Sequence, residues 1–228
     1  MKRTLQVLGL AVSVVLSVAV SAADATLFIG LQQDAGPIVT VASGATPAIP
    51  LVFAGAFGDF EGVSVSGFGQ PGTVLPILLQ TSTVEVNNAG PADAGTLTIY
   101  VTSTGNTAPL GSVDFTSGFA TVNLAPSWTE TLQSYVDPGN GVYALTGLLG
   151  TASFNTVDSE TDITTADTGA GPYSVTVVYR VTAATLASSS ATAGIAGALA
   201  VPEPSSVALL GTALAGFGMI ARRRRRAA

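Results

Sequence analysis

The chain has 228 residues, 47% hydrophobic and 10% charged, with 26 glycines and 12 prolines, a length and composition that suit one folded, turn-rich domain rather than a disordered chain. Its formal net charge of −6 hides an asymmetry: between Thr26 and Ala200 stand twelve carboxylates and one cation, Arg180, so this stretch carries −11 and cannot neutralise a row of phosphates; nucleic acid is excluded as a partner and anionic headgroups are disfavoured. There is no cysteine and no histidine, which removes disulfides, thiol nucleophiles, the commonest general base and the commonest zinc ligand.

Met1-Lys2-Arg3 is a short positive start, followed by an apolar run from Leu5 to Val20 and then by Ser21-Ala22-Ala23-Asp24-Ala25. These are the three regions of a secretory signal peptide. Residues 1–25 are predicted to be a removable signal helix, with small-x-small cleavage sites after Ala22 and after Ala25. No twin-arginine pair is present, so general secretion is the predicted route.

From Thr26 onward the periodicity is two. Thr96–Thr102 alternates Leu97, Ile99 and Val101 with Thr and Tyr, and Tyr173–Thr182 does the same around Val175, Val177, Tyr179 and Val181; each reads as a half-buried strand. Weaker strand patterns cover Thr26–Gln33, Pro37–Ala42, Glu61–Gly67, Val74–Val86, Ser112–Asn123, Thr129–Val136 and Gly141–Phe154. Gly, Pro and Asn clusters separate them, as at Pro138-Gly139-Asn140-Gly141. Residues 26–186 are therefore predicted to be an all-β antiparallel β-sandwich of eight to ten strands, Ig-like or jelly-roll-like. Ala187–Ala200, rich in Ala, Ser, Thr and Gly, reads as a flexible linker over residues 187–200.

Few residues in the body offer chemistry. Asp158, Glu160 and Asp162 alternate carboxylates with Ser and Thr, a pattern that can offer oxygens to Ca²⁺, although Ile163 and Gly169 stand where an EF-hand loop needs Gly and Glu. A solvated acidic loop is the plainer reading, and no other cofactor is expected. Asp59 and Glu61 offer a carboxylate pair of the glycosidase kind. A serine nucleophile has no histidine or body lysine to activate it. Trp128, Tyr100, Tyr135, Tyr143, Tyr173 and Tyr179 can stack on sugar rings, although core packing is the commoner use of such rings. Arg180, on the polar side of its strand, is expected to pair with a carboxylate. No Asn-x-Ser/Thr sequon is present, so any glycans would be O-linked.

The last 28 residues, 201–228, are the most specific part of the chain. Val201-Pro202-Glu203-Pro204-Ser205-Ser206 is an extended polar elbow, because two prolines fix φ and remove two donors. An uncharged run from Val207 to Ala221 follows, and then Arg222, Arg223, Arg224, Arg225 and Arg226. As a helix the run spans about 22 Å, short for a hydrocarbon core of about 30 Å unless serines and snorkelling arginines extend it. The arginines place this end in the cytoplasm, as Lys2 and Arg3 do the first, leaving the body outside.

Pro202-Glu203-Pro204, a short Gly- and Ala-rich transmembrane helix and a terminal arginine cluster resemble the PEP-CTERM sorting signal. No Gly-Gly pair precedes the helix, unlike a rhombosortase-type tail. The resemblance implies recognition by an exosortase, a membrane-embedded transpeptidase-like protease of Gram-negative bacteria. It implies passage of the tail through the inner membrane and cleavage near Pro202, Glu203 and Pro204. It also implies co-occurrence with exopolysaccharide, biofilm or floc; the texture of the body around Gly169–Ser174 is similar to flocculation-associated members. Residues and resemblance together predict a non-catalytic exported surface or extracellular matrix protein. A carbohydrate- or calcium-binding adhesin module is the alternative, with a secreted hydrolase behind it.

Overall fold

The computed structural model describes residues 25–45, 50–69, 77–88 and 95–199, the side chains at 82 and 83 excepted. The signal segment before Ala25, and residues 200–228 with the apolar run and arginine cluster, lie outside them. Among the described residues no helix is long and apolar enough to cross a membrane.

Twelve strands follow one another: β1 Thr26–Gln33, β2 Val39–Ala45, β3 Leu51–Phe57, β4 Phe60–Phe68, β5 Ile77–Asn88, β6 Gly95–Asn106, β7 Ser112–Leu124, β8 Thr129–Asp137, β9 Gly147–Phe154, β10 Ser159–Asp167, β11 Tyr173–Ala183 and β12 Ala187–Leu199. They build two six-stranded sheets. Sheet A has the order β2-β1-β6-β11-β8-β9, and sheet B the order β10-β7-β12-β5-β4-β3. Every pairing is antiparallel. The all-β sandwich predicted from the alternation is the fold.

The core lies between the sheets and is the sum of the inward residues of each pleat. Leu27, Ile29 and Leu31 of β1 and Leu97, Ile99 and Val101 of β6 enter it from sheet A; Val113, Phe115 and Phe119 of β7 enter from sheet B. Among the described residues no buried side-chain polar atom lacks a partner. A four-residue network joins the sheets through this core. Thr121 of β7 donates to Glu130 Oε2 at 2.7 Å, and Tyr179 of β11 donates to Glu130 Oε1 at 2.6 Å. Tyr179, its proton committed, accepts from Ser189 of β12 at 2.6 Å.

Several segments depart from the sequence reading. Residues 187–199 are not a linker: β12 is an inner strand of sheet B, laddered to β7 and β5, and the sandwich extends to Leu199. Its inward residues Ser189, Ala191, Ala193, Ile195 and Gly197 do alternate in burial, but their small size gives almost no contrast in hydropathy with their outward neighbours. Small residues are needed there. A Cβ on Gly197 would lie 3.0 Å from Leu78 Cδ1 and 3.2 Å from Val113 Cγ1, tighter than a close-packed interior accommodates without shifts. The acidic segment 158–162 is not a solvated loop, because from Ser159 it forms the edge strand β10 against β7. Leu51–Phe57, unmarked by alternation, is β3, the opposite edge of the same sheet.

Candidate functional site

The outer face of sheet A gathers Tyr100, Tyr135 and Tyr143 with the body's only cation. Its residues come from alternate positions: Gly30 and Gln32 of β1, Thr98, Tyr100 and Thr102 of β6, Thr176, Val178 and Arg180 of β11, and Gln133 and Tyr135 of β8. Register aligns them in rows. Tyr100 pairs with Gly30 on one side and Val178 on the other, and Val178 pairs with Gln133. Arg180 lies between Thr98 and Thr131.

Tyr143 is added from above by the β8–β9 loop. Asp137 at the end of β8 organises that loop: it accepts from Gly141 N–H at 2.7 Å, the Thr146 hydroxyl at 2.9 Å and Gly139 N–H at 3.2 Å. Burial works to raise the Asp137 carboxyl, but these three donors outweigh it and hold it below the usual carboxylate range. Asn140 and Tyr143 both take a φ of 58°; this tight loop replaces the first half of the predicted Gly141–Phe154 strand. The Tyr143 ring then lies over Gly30, where a Cβ would be 2.7 Å from its Cζ. It meets Tyr100 with centroids 5.7 Å apart and planes tilted by 55°.

The phenols are fixed at their tips. Tyr143 donates to Thr40 Oγ1 at 3.0 Å and Tyr100 to Gln32 Oε1 at 2.6 Å. Burial raises the Tyr100 phenol; the Arg180 charge opposes this and Tyr135 adds to it. Tyr135 and Tyr143 are also raised by burial, the latter against the Thr40 bond, so all three rings are neutral hydrogen-bonding groups at neutral pH. Tyr100 is 7% exposed and serves as the backing of the patch, while Tyr135 and Tyr143 are half-buried and Arg180 is exposed. The ion pair expected for Arg180 is absent among the described residues: its register neighbours are threonines, and the carboxylates stand elsewhere.

The other sequence-picked residues are not brought together. Trp128 is 1% exposed and donates through Nε1 to the Thr185 carbonyl and hydroxyl, each at 3.2 Å. Tyr173 and Tyr179 are also core residues. None of these three is offered to a ligand. Asp59 sits in the β3–β4 turn, accepting from Gln33 Nε2 at 2.6 Å, while Glu61 lines a shallow trough of about 270 Å³ with Glu85 instead. Asp158 Oδ1 accepts from the Ser159 N–H, Asp162 Oδ2 accepts from the Thr151 N–H of β9 at 2.9 Å, and Glu160 is exposed. Among the described residues no group of three or more carboxylates is gathered as a metal site would need. A groove of about 380 Å³ on the outer face of sheet B has a floor of Gly118, Ala120, Gly194 and Ala196 and no nucleophile–base pair. Sequence reasoning missed Gln32, Gln133 and the seat at Gly30. Only the register between β1 and β6, separated by some sixty residues of chain, puts Gly30 and Gln32 beside Tyr100, and only the β8–β11 register sets Gln133 against Val178 in the same row.

The C-terminal end of the chain has a match among known families. Residues 200–226 match the family model of the PEP-CTERM protein-sorting motif. The chain carries a PEP-CTERM sorting motif. The PEP-CTERM tail marks an exported protein processed by exosortase, a membrane enzyme, and is consistent with export to the cell surface. Pro202, Glu203, Pro204 and Arg222 to Arg226 all lie within that match and outside the described residues; Ala22 also lies outside the described residues. No curated protein matches the chain. Among solved structures, the enzymatically active domain of bacteriophage CBA120 tailspike protein 4 aligns over 60% of this chain and 18% of that chain, at 14% identity and a TM-score of 0.31. That likeness is too slight to carry an argument.

Proposed function

We propose that the exported body is a non-catalytic surface or extracellular matrix protein of a Gram-negative bacterium, and that it associates with exopolysaccharide through the outer face of sheet A. The observation that carries this reading is the patch formed by Tyr135, Tyr143 and Arg180, which has no ion pair among the described residues, around Tyr100. Rings with a polar tip offer a sugar an apolar face and a hydrogen bond at once. Arg180 adds a planar donor for a carboxylate or sulfate on the polymer, a group the acidic remainder of the body would repel. Threonine and glutamine side chains between them supply further donors and acceptors.

A flat patch of this kind holds a single sugar weakly. A polymer engages many copies of the protein, so that avidity replaces depth. Neither a metal nor a catalytic group is required. The test is retention of the processed protein in affinity electrophoresis through gels containing the producing cell's purified exopolysaccharide. Wild type is expected to be retarded, and Tyr135→Ala and Arg180→Ala each to lose most of that retardation while keeping the fold. Equal mobility of wild type with and without polysaccharide would sink the reading.

A further inference from the structure

The sandwich has two flanks, and they are built differently. At one flank β9 and β10 close the sheets. Glu160, Asp162 and Asp167 stand on β10, and the Asp162 carboxylate accepts the N–H of Thr151 on β9. A sheet edge so charged and capped resists an incoming strand. At the other flank stand β2 and β3, Val39–Ala45 and Leu51–Phe57, with no Asp, Glu, Lys or Arg in either. Among the described residues β2 pairs only with β1, and β3 only with β4. β3 reads Leu-Val-Phe-Ala-Gly-Ala-Phe, free of proline, the composition of a strand that accepts another. Its inward residues Leu51, Phe53 and Phe57 are only partly buried against the core, and Val52 on the outer side is 55% exposed.

We propose that this flank is a self-association surface, at which β3 of one copy pairs antiparallel with β3 of a second copy about a two-fold axis. An outward row of backbone N–H and C=O groups, otherwise met by water, is a ready template for another strand. The occupant is a second copy because an uncharged, wholly apolar strand is its own complement under a two-fold operation. Two bodies of the same negative sign repel; pairing through strands that themselves carry no charge keeps the carboxylates of β10 apart, and leaves Glu61 of β4, beside Ala54 in a trough on the outer face, as an acidic group near the contact. Because the β9–β10 flank is capped, head-to-tail growth is blocked and the assembly closes as a dimer.

Sedimentation equilibrium of the processed protein tests this, with the full chain in detergent measured alongside. A monomer–dimer equilibrium is expected, strengthened by added salt as repulsion is screened. Val52→Lys, at an exposed position, is expected to weaken the dimer at least about tenfold, a cost of about 1.4 kcal/mol, whereas Val52→Thr keeps it. The chain has no cysteine, so a single Ala54→Cys at the middle of β3 reports the contact directly. It should oxidise to a covalent dimer, and Thr161→Cys on β10 should not. A monomer at every concentration, or a dimer that survives Val52→Lys and crosslinks through residue 161 rather than 54, overturns the proposal.

Discussion

Glu130 and Asp137, at opposite ends of β8, give the fold two pH responses of opposite sign. Glu130 is 1% exposed; burial raises its carboxyl, against the hydrogen bonds from Tyr179 and Thr121. Its folded value lies above its unfolded one, so its share of stability is complete below the unfolded value and is lost as pH rises through the folded value. Asp137 is held low, so its share is present above the unfolded value and is lost as pH falls through the folded one. Melting temperatures from mildly acidic to mildly alkaline pH should fall less steeply for Glu130→Gln than for wild type. Asp137→Asn should be destabilised at neutral pH, with the deficit closing in acid. Glu130→Ala leaves two buried hydroxyls short of an acceptor and should cost about 2–3 kcal/mol at either pH. Gly30→Val should evict Tyr143 from its seat, seen as a loss of near-ultraviolet circular dichroism from the tyrosine pair and of any polysaccharide retention. Of these residues only the aromatics and Arg180 stood out in the sequence. Glu130 sits at a core position of the Glu-Leu-Ser-Val alternation of β8, a period-two signal that composition conceals.

Strands whose faces differ in polarity were legible. β6 and β11 alternate Val, Ile and Leu with Thr and Ser, and the predicted bounds fall within one residue of the observed ones except where β6 runs on to Asn106. β3 and β12 were hidden for one reason: residues on their two faces are alike in hydropathy, all apolar in one and all small in the other. β10 was hidden because an edge strand bears charge on both sides of its pleat, which reads as a loop. The distinction between linker and strand is easily tested at β12. Ala193 N–H donates to Thr81 Oγ1 at 2.8 Å in the middle of sheet B. Ala193→Pro removes that donor from a central strand and should cost about 3 kcal/mol or more, whereas a linker would tolerate it. The entry of β1 bears likewise on processing. Ala25 is 2% exposed, so a cut after it would delete a core residue and place a charged amine beside buried surface. The mature protein should therefore begin at Ala23, as N-terminal sequencing would report.

At the scale of the whole molecule, the partners in the ladders are far apart in the chain. β1 pairs with β6, and β5 with β12, whose residues Thr81 and Ala193 are 112 positions apart. Such topology folds slowly. Refolding from denaturant is expected on a scale of about milliseconds to seconds, without the submillisecond phase of locally connected folds, and stopped-flow tyrosine and tryptophan fluorescence would measure it. The position of β12 in sheet B also governs when the fold can be completed. The third strand of that sheet is the last one synthesised, and Pro202 stands only three residues beyond Leu199. A chain crossing the membrane from its first residue onward must emerge almost whole before β5 and β7 receive the strand between them. Assembly of the sandwich and emergence of the sorting tail thus become one event, and the protease meets a body that has only just acquired its shape.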